Sequence, residues 1–154
     1  MVFYINIEGR TYPVKAGGVI FKYNDLYLLQ QNTDEKYTGN PKKFYSWCDF
    51  GGKVEKEDTN ILETIIRELK EETNDILTNI NFDNSIYYYI SNAKYLLIIN
   101  TIDNKIDEKL FGNKEIKTNR MRRCEWKNIF KVNLHPRLIN FSKKKIINYK
   151  NIIY

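Results

Sequence analysis

The chain has 154 residues, 42% of them hydrophobic and 29% charged, with a formal net charge of +6. Length and balance suit one soluble globular domain with a real core, assigned to residues 1–154. They exclude a membrane partner: the most apolar run, residues 95–99, is far too short to cross a bilayer, and MVFYINIEGRTYP is no signal peptide.

Residues 2–7 alternate as a short strand, Gly9-Arg10 reads as a turn, and residues 12–14 pair back. Residues 16–22 and 26–31 are apolar, β-rich runs joined by Tyr23-Asn24-Asp25, a hairpin signature. Residues 32–43 are polar, carry Gly39 and Pro41, and read as a loop. Residues 44–50 are aromatic-rich and extended, and Gly51-Gly52 then breaks the chain. Thr59 or Asn60 caps a helix, with Glu63 close behind. Leu62, Ile65, Ile66, Leu69 and Thr73 recur at helical spacing and form one apolar stripe. Residues 86–90 and 94–101 read as strands around Ser91-Asn92, and residues 122–126 as a further strand. Leu138, Ile139, Ile146, Ile147, Ile152 and Ile153 predict a basic C-terminal helix over about 136–154. Strands and helices interleave, so the expected class is α/β with a mixed sheet.

Two cysteines, Cys48 and Cys124, read as reduced thiols in a cytoplasmic protein. A single histidine, His135, leaves little material for a Cys/His zinc site or a Ser-His-Asp triad. The charge is uneven. Residues 114–150 hold twelve Lys or Arg against Glu115 and Glu125, whereas the acidic block lies at residues 55–75. A basic final third suits polyphosphate or nucleic acid, or is simply a lysine-rich solvated surface.

The acidic helix carries the chemistry. Glu68, Glu71 and Glu72 are spaced i, i+3, i+4 and share an arc beside the apolar stripe. Like charges at that spacing destabilise a helix by roughly 0.2–0.5 kcal/mol. Arg67 reaches Glu71 at i+4. Hard oxygen ligands in this number suit Mg²⁺, or Mn²⁺ in its place. The plain alternative is a solvated Glu/Lys face.

Gly52 followed by Arg67-Glu68-Leu69-Lys70-Glu71-Glu72 resembles the signature of the Nudix hydrolases. The box runs from Gly52 to Asn74 in a loop-helix spanning residues 51–74. It departs from the family pattern in a loop one residue longer, in Asp58 at the Glu position, in Asn74 for the closing Gly and in Phe50 for a Pro. The resemblance implies a Nudix-type α/β/α sandwich with a central mixed β-sheet. It implies Mg²⁺-dependent hydrolysis of a nucleoside diphosphate linked to a further moiety. Glu68, Glu71 and Glu72 are then metal ligands, helped by the Gly52 carbonyl, and Arg67 orients them. Glu115 is the candidate base outside the box, with Glu71 or Glu72 as alternatives. Phe44, Trp47, Lys53 and Arg123 are candidate substrate contacts; Tyr45 and Tyr87-Tyr88-Tyr89 either stack a base or pack in the core. Arg122 or Arg123 contacts phosphate or is a surface cation.

Three functions follow, in order of weight. The first is hydrolysis of a free (deoxy)nucleoside triphosphate or nucleotide conjugate. The second is RNA 5′-end processing, with RNA as partner. The third is a non-catalytic nucleotide-binding domain. A homodimer is compatible with all three.

Overall fold

Strand runs that are apolar on both faces and a helix that is apolar on a single stripe set the architecture. The structure, a computed structural model, describes residues 1–34, 45–148 and 152. Strands β1 (Phe3–Ile7) and β2 (Arg10–Val14) form a separate antiparallel hairpin. Among the described residues the main sheet has nine strands. These are β3 (Ala16–Tyr23), β4 (Leu26–Asn32), β5 (Trp47–Cys48), β6 (Phe50–Lys53), β7 (Ser85–Ile90), β8 (Tyr95–Thr101), β9 (Lys114–Glu115), β10 (Arg120–Lys127) and β11 (Lys145–Ile147). Their order is β11-β7-β8-β3-β4-β10-β9, with β6 on β3 and β5 on β4. The β3–β8 pair is parallel and the others are antiparallel, so the sheet is mixed, as expected.

Both faces of the sheet are buried. Val19, Phe21, Leu28, Leu96 and Ile98 point to one side, and Ile20, Leu29, Leu97 and Ile99 to the other. A strand covered on both faces reads as an unbroken apolar run, which is why residues 95–99 are the most apolar of the chain. The first side is covered by helix α1 (Ile61–Glu72) and the β1–β2 hairpin. The second is covered by residues 129–141, through Ile129, Leu138 and Phe141. The sheet is thus the middle layer of the expected sandwich. Tyr87, Tyr88 and Tyr89 are all core residues. The Tyr87 hydroxyl donates to the Phe82 carbonyl and that of Tyr89 to the Pro13 carbonyl, each at 2.7 Å. They are not stacking platforms.

The helix expected over about 136–154 does not form among the described residues. Short 3₁₀ turns at Pro136–Leu138 and Phe141–Lys143 lead into β11 instead. Asn140, at φ 57°, breaks the helical path between the turns. Ile147 lies opposite Tyr87 on the outer edge of β7, where a β-branched residue fits the pleat. Ile146 and Ile147 are strand residues within the run that reads as a helical stripe.

Helix α1 begins at Asn60, whose Oδ1 accepts the Glu63 amide at 2.9 Å. It ends at Thr73, and Asn74 follows at φ 53°, the left-handed position that Asn tolerates. Ile61, Leu62, Ile65 and Leu69 are buried on the sheet. The helix comes close because it lies over glycine. Gly17 pairs with Gly52 and Gly18 with Gly51 across β3 and β6. A Cβ on Gly17 would stand 2.8 Å from Ile65 Cδ1.

Gly17→Val should therefore destabilise the protein by about 1–3 kcal/mol through overpacking. Asn60→Ala should cost about 1 kcal/mol through loss of the cap. Denaturant unfolding of the two variants measures both.

Candidate active site

Glu68 lies directly on Gly52: a Cβ there would be 2.4 Å from the Glu68 carboxyl carbon. Arg67 Nη1 donates to Glu68 Oε1 at 2.9 Å. The same guanidinium grips Asp58, Nε to Oδ1 at 3.0 Å and Nη2 to Oδ2 at 2.9 Å, and Nη2 also reaches the Lys53 carbonyl at 3.0 Å. The Thr64 hydroxyl and the Glu55 amide donate to Asp58 Oδ2, both at 2.8 Å. The Arg67 bonds first, then these donors, hold the Asp58 carboxyl down at about 2 against its burial. A loop one residue longer thus brings a side chain one methylene shorter onto Arg67. Burial raises the Glu68 carboxyl above its ordinary value, with Arg67 opposing.

Glu72 faces inward and is 8% exposed. Its Oε1 accepts the Gly51 amide at 2.6 Å. Its Oε2 accepts Gln30 Nε2 at 2.6 Å and Arg120 Nη2 at 3.3 Å. Burial pushes its carboxyl up to about 8, although Gln30 and Arg120 pull the other way. Its backbone carbonyl accepts Arg122 Nε at 3.2 Å and Nη2 at 2.9 Å. Arg122 is fully buried and also donates to the carbonyls of Phe111 and Gly112, both at 2.9 Å. It is a cation seated on the negative end of α1, not a phosphate contact. Glu71 is half-buried: Lys117 Nζ donates to its Oε1, and Arg67 Nη1 is 4.0 Å away.

Glu115 sits on β9 and is only 5% exposed, so it is not a loop carboxylate in solvent. Arg120 Nε donates to its Oε2 at 3.2 Å. Arg120 Nη2 donates to Gln30 Oε1 at 2.9 Å as well as to Glu72. One guanidinium therefore joins Glu115 to Glu72.

Beside Glu72 opens a cavity of about 230 Å³, lined by Gln30, Asp49, Gly51, Glu72, Arg120 and Arg137 among others. Its floor is an ion pair. Arg137 Nη2 and Nε donate to Asp49 Oδ1 at 2.7 and 3.2 Å, and the Tyr95 hydroxyl donates to Asp49 Oδ2. Burial opposes the Asp49 charge. Arg137, with hydrogen bonds from Tyr95, Arg137 and Cys48, outweighs it and holds the carboxyl below its usual value.

The substrate contacts expected from sequence are not gathered here. Phe44 lies outside the described residues. Trp47 is in the core, 6% exposed, with Lys127 and Arg123 over its ring at 4.7 and 5.2 Å. Arg123 also donates to Gln31 at 2.8 Å and pairs with Glu125 at 3.3 Å, away from the cavity lining. Lys53 is exposed at the end of β6 and meets Arg67 through its carbonyl. Gln30, Asp49, Arg120 and Arg137 escaped the sequence reading, because only tertiary folding brings them together. An acid inside the aromatic run at residues 44–50 was the one local sign.

The cradle suits a hard divalent cation in kind: it offers the Glu68, Glu71 and Glu72 carboxylates and the Gly52 backbone, with glycine leaving the space that a Cβ would fill. Among the described residues no three acidic, imidazole or thiol groups are already drawn together as a ligand cluster. The three glutamates instead rest on the protein's own donors: Arg67, Lys117, and Arg120 with Gln30.

The NUDIX domain family matches residues 11–144. No curated protein matches the sequence. Among solved structures, a bifunctional NMN adenylyltransferase/ADP ribose pyrophosphatase from Francisella tularensis, solved with AMP and a Mn ion, is 18% identical. That match has a TM-score of 0.45 and covers 92% of this chain but 40% of that one, so the chain spans less than half of its length. A C. elegans Ap4A hydrolase is 20% identical over 73% of this chain and 78% of that chain, at a TM-score of 0.42. A mutator MutT protein from Bacillus halodurans is 21% identical over 80% of this chain and 77% of that chain, at a TM-score of 0.48. These overlaps concern chain path alone. No helix among the described residues is long and apolar enough to cross a membrane.

Asp58→Asn should lower stability by about 1–3 kcal/mol at neutral pH, since it removes a buried charge-assisted network. The folded carboxyl titrates at about 2, below its unfolded value near ~3.9. Its stabilisation is full above the unfolded value and is lost as pH falls toward 2. Denaturant midpoints from pH 7 down to acid should therefore fall less steeply for the variant over that acid window.

Proposed function

The chain belongs to the NUDIX domain family, and from that premise we propose that it is a pyrophosphohydrolase whose substrate is a free nucleoside triphosphate or nucleotide conjugate. The observation that carries this reading is the position of Glu72. Its carboxylate closes the cradle on Gly51 and at the same time lines the cavity. A diphosphate at the cradle thus places its adjoining moiety in a cavity sized for one small group.

In this reading Glu68, Glu71, Glu72 and the Gly52 carbonyl hold Mg²⁺ or Mn²⁺, which when bound supplies positive charge to the diphosphate oxygens. Arg67, fixed by Asp58, orients the Glu68 carboxylate. Water attacks one phosphorus, the bridging P–O bond breaks, and two phosphate-ended products leave. Glu115 is proposed to accept the proton of that water, while Arg120 keeps its carboxylate in place beside Glu72. A cytoplasmic setting fits a free nucleotide substrate.

The sheet order bears on the RNA alternative. Lys143, Lys144 and Lys145 lie at or beside β11, at one edge of the sheet, whereas Glu115 and Arg120 lie at the opposite edge. A basic patch so placed does not line the cavity. This favours the small-molecule reading.

Glu71 is the informative residue to change, since its close partner is an exposed lysine, whereas the new amide nitrogen of a Glu72→Gln variant would face an N–H donor whichever way it turned, Gly51 on one side or Gln30 and Arg120 on the other. Glu71→Gln should lower kcat by several orders of magnitude with the fold retained. The assay is product release with Mg²⁺ or EDTA across (d)NTPs, dinucleoside polyphosphates, ADP-ribose and capped RNA. Near wild-type turnover would sink the metal assignment, and cleavage of capped RNA alone would promote the RNA reading. Alanine at Lys143, Lys144 and Lys145 together should leave mononucleotide turnover unchanged.

A further inference from the structure

The three cradle carboxylates do not have equivalent partners. Glu68 is held by Arg67, which Asp58 and the Lys53 carbonyl fix in turn. Glu72 is held by a backbone amide and two buried or half-buried side chains. Glu71 has Arg67 only at 4.0 Å, and its close partner is Lys117. Lys117 is also the most exposed of these cations, at 64%. It stands on the four-residue turn at 116–119 between β9 and β10. The root of that turn is fastened to the end of α1 by Asn74, whose Oδ1 accepts the Ile116 amide at 2.8 Å. Asn74 Nδ2 donates to the Lys114 carbonyl at 2.8 Å and the Phe111 carbonyl at 3.3 Å. The turn is anchored, its tip overhangs Glu71, and the ammonium sits on a flexible four-carbon stem.

We infer that Lys117 serves two anions in turn: it holds Glu71 while the cradle lacks a metal, and passes to the substrate's phosphate once the metal takes Glu71. This rests on the reading of Glu71 as a metal ligand. A divalent cation arriving at Glu71 repels the ammonium, and the anchored turn limits how far it can retreat. A diphosphate on that same cation is then a dense anion within reach of the stem. Lys117 is thus a competitor of the metal and a binding residue for the nucleotide, so its removal should move the two affinities in opposite directions. A residue that merely stiffened the turn would not do that.

The test uses the full chain as wild type, Lys117→Gln, Lys117→Arg and Glu71→Gln. Mn²⁺ binding without nucleotide is followed by loss of the free-ion electron paramagnetic resonance signal. Lys117→Gln should bind Mn²⁺ about two- to fivefold more tightly, the scale of an exposed ion pair. Lys117→Arg should bind as wild type does, and Glu71→Gln more weakly. With Mn²⁺ saturating, calorimetry with methylenediphosphonate, a diphosphate that cannot be hydrolysed, should show Lys117→Gln about two- to fivefold weaker. Unchanged or weaker Mn²⁺ binding by Lys117→Gln, with Glu71→Gln impaired, overturns the competition and leaves the metal reading standing. Unchanged methylenediphosphonate binding, or none by the wild type, overturns the phosphate role. No Mn²⁺ binding by the wild type, or wild-type binding by Glu71→Gln, overturns the metal reading and this inference with it.

Discussion

The close seating of α1 on the glycine seam between β3 and β6 is the constraint on which the rest depends. Two glycines from each strand face one another, Gly17 with Gly52 and Gly18 with Gly51. With no Cβ in the way, Ile65 descends onto Gly17 and the Glu68 carboxylate onto Gly52. The next turn of the helix then brings Glu72 within 2.6 Å of the Gly51 amide. Core packing and carboxylate placement are thus one event. The apolar stripe drives the helix down, and the seam decides how far it goes. Side chains on the seam would lift the helix, and the acids with it, away from the strand backbone.

A helix bearing three acids beside a buried stripe needs positive charge close by, and the chain supplies it from three directions. Arg67 comes from the helix itself, Lys117 from the turn after β9, and Arg120 from β10. A fourth cation, Arg122, binds backbone instead: it donates to the Glu72 carbonyl and so steadies the negative end of the helix. The partners differ in permanence. Arg67 is locked by the ring of donors around Asp58, and Arg120 is tied to Glu115 and Gln30. Lys117 alone among them is largely in solvent. The excess positive charge of the sequence is therefore not spread evenly in its work. Some of it is built into the site, and the lysines near β11 are simply remote from it.

What could be read in the sequence was what short-range periodicity encodes. The α1 stripe, its Asn60 cap and the β3–β4 hairpin at Asn24 all follow from local spacing, and all are present, whereas the break expected at Gly51-Gly52 is not: both glycines pair with β3 inside strand β6. The carboxylate patch was legible because i, i+3, i+4 is itself a local rule. The pocket was not. Asp49 meets Arg137 across 88 positions, and Arg120 meets Gln30 across 90. No periodicity links such pairs. Arg122 and Arg123 show the limit sharply. They are neighbours in sequence, yet one is fully buried on a helix end and the other lies half exposed over Trp47. Strand alternation sends them to opposite faces, and only the packing on each face says what they do. The C-terminal isoleucines failed for the same reason: the free edge of β7 recruits Ile147, and that edge is invisible in the tail's own sequence.

Glu72 joins the two halves of the site. One of its oxygens is held by strand backbone, the other by the side chains that form the cavity wall. Its backbone is held by Arg122. A group fixed at three points cannot follow a ligand, so the geometry at Glu72 is set before anything binds. Glu71, one residue earlier, is the opposite case, with its close partner on an exposed turn. Adjacent acids on one helix thus divide the work between a rigid reference point and an adjustable one. The division follows directly from which of them the seam draws inward.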